Sequence, residues 1–174
     1  MMRRWCLVLL AACALAVGCG DDDNPTAPSN VPVVFSAQLS PANEVPPVAN
    51  AEASGSGAVQ ITFETTRDAS NAISGATASF HIQLRGFPAG TTIVGAHIHP
   101  GAAGVNGPVV VNTGITAASA LALTEGFTTF NVSGISVTAA MAQAIVNNPA
   151  GFYFNVHSPQ NPGGVARGQL VRVQ

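Results

Sequence analysis

From Val33 onward apolar side chains recur at every second position, and that period of two leaves sheet as the framework for most of the chain. Val33, Phe35, Ala37 and Leu39 alternate with small or polar neighbours, as do Val59, Ile61 and Phe63, then Phe80, Ile82 and Leu84, then Val94, Ala96 and Ile98. Alternate side chains of an extended chain share a face, so each run reads as a strand with one side turned to a core. Val109 to Asn112, Leu121 to Thr124, Phe127 to Val132, Phe152 to His157 and Val165 to Val173 supply further strands, with turn residues between most of them. Many short strands of this kind predict an all-β fold, an antiparallel sandwich or barrel.

One segment departs from the alternation. Thr138 can cap a first turn, the alanines from Ala139 to Ala144 favour helix, and Asn147-Asn148-Pro149 stops it. The spacing predicts a short helix over 138–148, with Met141 and Ile145 as its apolar stripe over one end of the sandwich.

Chemistry concentrates in the histidines, of which the chain has four. His97 and His99 flank Ile98 in a strand pattern, so both imidazoles point to the same side while Ala96 and Ile98 point to the other. His157 ends a neighbouring strand pattern and can close a three-imidazole set with them. Three imidazoles suit a copper or zinc ion, at about 2.0–2.1 Å from each nitrogen, and leave one position open. The competing reading gives the same histidines a structural task, bonding to backbone around the glycine-rich turn and Asn155. On geometry alone Ile98→Asp is expected to unfold the domain and His99→Ala is not, because the imidazole side can be wetted. His81 alternates with Phe80 and Ile82 on a polar face beside Gln83 and Arg85, and is left out of the site.

The amino-terminal stretch reads as an address. Arg3 and Arg4 precede an apolar run from Trp5 to Val17 that is too short to span a bilayer, which predicts a signal peptide over 1–18. Leu15-Ala16-Val17-Gly18-Cys19 has the form of a bacterial lipobox, which implies cleavage before Cys19 and its lipidation. Residues 19–31 then form an acylated cysteine and a solvated tether, with three aspartates, two prolines and little to bury. The folded domain is expected over 32–174, attached to the membrane through the lipid and located in the bacterial cell envelope, at the outer membrane or cell surface.

With the signal removed, four arginines face eight acids, a net charge of −4, and the chain has no lysine. That excludes nucleic acid as a partner, since phosphate binding needs a basic stripe. Cys6 and Cys13 leave with the signal, so no internal disulfide can form and the domain must hold together by burial. The chain lacks a Gly-x-Ser-x-Gly elbow, a phosphate-binding lysine loop and a His-Glu-x-x-His pair, so no catalytic residues are assigned. In Glu44-Val-Pro-Pro-Val the prolines read as a strand crossover that blunts an edge, and Glu44 has Arg167 and Arg85 as candidate partners.

The order of these blocks resembles one family. Phe35-x-Ala-x-Leu, Glu44-Val-Pro-Pro-Val, Ala96-His-Ile-His, Gly104-Val-Asn-Gly-Pro-Val-Val, Tyr153-Phe-Asn-Val-His, Asn161-Pro-Gly-Gly and Arg167-Gly-Gln-Leu follow one another as in the CHRD domain, the module repeated in chordin and found singly in bacterial exported proteins. The resemblance covers about Val33 to Leu170. It implies an extracytoplasmic β-domain acting as a binding or structural module toward an extracellular or periplasmic protein. Val165 and Ala166 stand where the family usually has an acid and a branched apolar residue.

A more distant similarity is to copper-zinc superoxide dismutase, which implies a Greek-key sandwich of that kind. By that likeness His97, His99 and His157 stand at three of the four copper-ligand positions and Arg167 near an anion-guiding arginine, making Arg167 and Glu44 candidates for an anion contact or an ion pair. The dismutase pair of metals takes six histidines and an aspartate, and Gly101 to Gly107 contains no histidine. A mononuclear copper or zinc site is therefore the alternative function, and a dismutase-like redox enzyme ranks after it.

Overall fold

The structure is a computed structural model and describes residues 32–174. The expected signal peptide, Cys19 and the tether lie outside the described residues. Eleven strands and one helix follow in order: β1 Val33–Leu39, β2 Ser56–Arg67, β3 Ile73–Arg85, β4 Thr91–Ile93, β5 Gly95–Pro100, β6 Val111–Asn112, β7 Leu121–Leu123, β8 Thr128–Val137, α1 Ala139–Asn147, β9 Phe152–His157, β10 Ala166–Gln169 and β11 Val171–Arg172. They form a five-stranded sheet, β11-β1-β2-β3-β8, a four-stranded sheet, β10-β9-β5-β6, and a separate β4-β7 pair. All pairings are antiparallel, as the alternation predicts.

The core lies between the two larger sheets. Phe35, Ile61, Phe63, Phe80, Ile82 and Leu84 face inward from one, and Ala96, Ile98, Phe154 and Val156 from the other, all at most 2% exposed. Phe80 stacks on Phe154 across the gap at 5.7 Å between ring centroids. Each such ring buried in place of exposure contributes on the order of 2–3 kcal/mol, so this layer is the main source of cohesion. Helix α1 begins as predicted, with the Thr138 hydroxyl accepting from the Met141 amide at 3.3 Å. Ile145 and Ala142 are its fully buried residues, and Met141 is half-buried.

Several strands differ from their sequence patterns for local reasons. Val94 does not join Ala96 and Ile98 in one strand, because β4 turns away to pair with β7 and Val94 instead donates its amide to the His157 carbonyl at 2.9 Å. The pattern over Val109 to Asn112 yields only Val111–Asn112, and Val109 is 48% exposed beside Pro108, which has no amide for a ladder. Strand β8 runs beyond Val132 to Val137 through an irregularity in its pairing with β3 that includes Gly134 at φ +76°. The pattern over Val165 to Val173 is interrupted at Leu170, where the chain passes from the four-stranded sheet to the five-stranded one. At the same corner Ser40 bridges to Arg167, joining the end of β1 to the edge of β10. The Pro46-Pro47 segment lies in the β1 to β2 crossover, where the Val45 carbonyl accepts from the Asn106 side chain at 2.9 Å.

Among the described residues no helix is long and apolar enough to cross a membrane.

Candidate metal centre

Strand register builds the site. Ala96 and Ile98 point to the core, so His97 and His99 share the outer face of the four-stranded sheet, as their spacing predicts. Opposite them β9 places Asn155 across from His97 and Tyr153 across from His99, while His157 stands across from Gly95. A Cβ at Gly95 would lie 3.0 Å from His97 Cε1 and 3.4 Å from His157 Cδ2. The missing side chain lets the His157 ring cross toward His97, with ring centroids 4.8 Å apart and His97 Nδ1 3.0 Å from His157 Nε2.

Two of the imidazoles have one nitrogen committed to backbone. His99 Nδ1 donates to the Gly107 carbonyl and His157 Nδ1 to the Pro162 carbonyl, each at 2.9 Å. That fixes the tautomer, because a neutral imidazole with Nδ1–H carries its lone pair on Nε2. His99 Nε2 is buried and has no partner among the described residues. His157 Nε2 lies 3.0 Å from Asn155 Oδ1, an acceptor facing an acceptor with this tautomer, which a flip of the amide relieves.

Burial pushes His97 down to about 4, with the neighbouring His157 and His99 adding to the effect. Burial also pushes His157 down, against the Pro162 carbonyl and with His99. Both rings are thus neutral at neutral pH, and since Nε2 of His157 carries the lone pair, His97 donates Nδ1–H to it at 3.0 Å; an ion seated there takes the place of that bond, with the His97 proton moved to Nε2. The three donor nitrogens lie within 4.8 Å of one another. Nitrogens that share an ion at about 2.0–2.1 Å stand about 3–3.4 Å apart, so the His97–His157 spacing fits and the widest separation has to close by about 1 Å or more. The three imidazoles can therefore hold one ion, His99 and His157 offering Nε2 because their Nδ1 is bonded to backbone.

The face is not open to water as its polarity suggests. His99 is 6% exposed, its ring stacked on Tyr153 at 4.9 Å and 6°, under the loop at Gly107. Gly107 also donates its amide to the Tyr153 hydroxyl at 3.2 Å. The expectation of a wetted imidazole side is corrected at His99: its ring belongs to a second, polar layer beneath loops.

Of the two arginines considered for Glu44, Arg167 is the partner, at 3.9 Å between Nε and Oε2. Arg167 is 2% exposed, donates to the Asn43 carbonyl at 2.6 Å and to Asn106 Oδ1 at 2.8 Å, and lies 4.6 Å over the Tyr153 ring. It is an interior cation bonded through Nε and one terminal nitrogen, while its other terminal nitrogen is buried without a partner among the described residues. Glu44 is pushed up to about 7 by burial, which outweighs the opposing Arg167 charge. His81 sits on the five-stranded sheet, bonded to Asn131 at 2.7 Å and Gln83 at 3.1 Å, away from the other three histidines.

Sequence reasoning missed the support around His157. Glu52, 2% exposed, accepts from Ser158 Oγ and Asn161 Nδ2, each at 2.5 Å, and so pins the loop that carries Pro162. Tyr153 and Asn155 were legible, since they alternate with Phe152, Phe154 and Val156 on the face that His157 shares. Nothing local links Glu52 to a segment more than a hundred residues away.

Residues 35–170 match the family model described as the CHRD domain. No curated protein and no solved structure matches the chain.

Proposed function

The chain belongs to the CHRD domain family, which supports a binding or structural module, and we propose that this module takes up one copper or zinc ion on His97, His99 and His157 while a lipid on Cys19 holds it in the cell envelope. The observation that carries the metal reading is the convergence of three imidazoles, one nitrogen of each within 4.8 Å of the others, two of them oriented through Nδ1 by backbone carbonyls. A metal-binding histidine is ordinarily fixed in this way through its second nitrogen, and a buried Nε2 without a partner is otherwise costly.

The envelope reading rests on Arg3, Arg4, the apolar run to Val17 and the lipobox form of Leu15 to Cys19. Its partner would be an extracellular or periplasmic protein that meets the loops.

The same two carbonyl bonds favour a second reading, in which the histidines only hold loops in register. Protein stripped with chelator and reloaded with copper or zinc separates the two. About one ion per chain, lost in His97→Ala/His99→Ala, supports the metal centre; uptake that is nil or unchanged in the double variant supports the structural role. Cys19→Ser should move the protein from the membrane to the soluble fraction, and retention on the membrane rejects the anchor.

A further inference from the structure

The charge inventory around the three imidazoles is nearly empty. Imidazole ligates through a lone pair and brings no charge of its own, the groups behind the rings are the Gly107 and Pro162 carbonyls, and the neighbour on β9 is the Asn155 amide. Among the described residues no Asp, Glu or Cys joins the three histidines as a donor. The acids nearby are engaged elsewhere: Glu44 with Arg167, and Glu52 with Ser158 and Asn161. The Arg167 cation lies against the Tyr153 ring, which in turn stacks on His99.

A site of neutral ligands in a half-buried, loop-covered face discriminates by ion charge. The solvation lost on entering low dielectric grows as the square of the charge, so a divalent ion loses about four times what a monovalent one does. A carboxylate ligand would offset that loss, and none is present in the set. Donor number points the same way. Zinc(II) takes four ligands and copper(II) four or more, which would draw water into the centre, whereas His99 Nε2 has essentially no solvent contact. Copper(I), a soft d¹⁰ ion, is satisfied by three nitrogens.

We propose that the centre is a cuprous site, holding Cu(I) on His97, His99 and His157 in preference to Cu(II) and Zn(II); this rests on the metal reading above. Under anaerobic conditions the purified protein should compete with a chromogenic Cu(I) chelator, and its histidine-dependent affinity should exceed that for Zn(II) by at least a hundred-fold. Histidine-dependent means the part lost in His97→Ala/His99→Ala, which removes any contribution from thiols. The loaded copper should give a cuprous X-ray absorption edge and no electron paramagnetic resonance signal. Histidine-dependent binding in which Zn(II) or Cu(II) equals or exceeds Cu(I) overturns this inference and leaves the metal reading standing. Failure of all three ions to bind in a histidine-dependent way overturns both.

Discussion

Ser158 donates its hydroxyl to the Glu52 carboxylate at 2.5 Å, and both residues are buried. Asn161 donates to the same oxygen, so one acid from the β1 to β2 crossover anchors the loop whose Pro162 carbonyl orients His157. Glu52→Ala should therefore cost about 3 kcal/mol in urea unfolding, because it strands buried donors. It should also weaken histidine-dependent metal uptake by about ten-fold, with Glu52→Gln recovering part of both. Full stability in Glu52→Ala would mean that the loop stands without this anchor.

Gly95→Ala tests the crossing of the His157 ring. The new methyl group would press on His97 Cε1 at 3.0 Å, an atom at the end of a rotatable side chain, so the fold should survive with a melting temperature near that of the parent. The ring spacing should not, and uptake should fall by about ten-fold or more. Unchanged uptake would show that the rings adjust freely.

Glu44 makes stability depend on pH. Its carboxyl keeps its proton in the folded state up to about 7 and in the unfolded chain only to about 4.5, so its contribution is complete below 4.5 and disappears as pH rises through 7. The loss amounts to about 3 kcal/mol between pH 4.5 and 8. Arg167 is the charged group facing it, and Glu44→Gln should flatten this slope. Parallel pH profiles of the two proteins would remove Glu44 as the source.

Ile98→Asp and His99→Ala should both destabilise, to different extents. Ile98 is fully buried in the apolar layer, and an unpaired charge there should cost about 4 kcal/mol or more. His99→Ala loses the stack on Tyr153 and the bond to Gly107, about 1–3 kcal/mol. Chemical denaturation of each variant gives the comparison, and equal losses would place His99 on the same footing as Ile98.

The apolar half of the fold was legible because burial acts on neighbours in sequence: Phe35, Ile61, Phe80 and Ile98 each announce their strand by what stands two residues away. The pair His97 and His99 was legible for the same reason. Covering was not. The loop over His99 contains Gly101 to Gly107, whose glycines and small side chains read as exposed turn, and only its return to the sheet buries the imidazole. The roles of Glu52, Ser158 and Asn161 depend on two crossovers meeting in space, which alternation within a strand does not encode. Arg167 was legible in part: Glu44 stood as a candidate partner and is one, whereas the bonds to Asn43 and Asn106 come from other loops and have no local signal.

The uninterrupted passage of the chain through Leu170 has a dynamic consequence. The two layers share one backbone on that side, with Ser40 and Arg167 bridging beside it, so the sandwich is hinged there and can breathe only along the opposite margin, where β6 and β8 are the outermost strands. Amide exchange should begin on β6 and β8 and come last on β1 and β9, which sit inside their sheets.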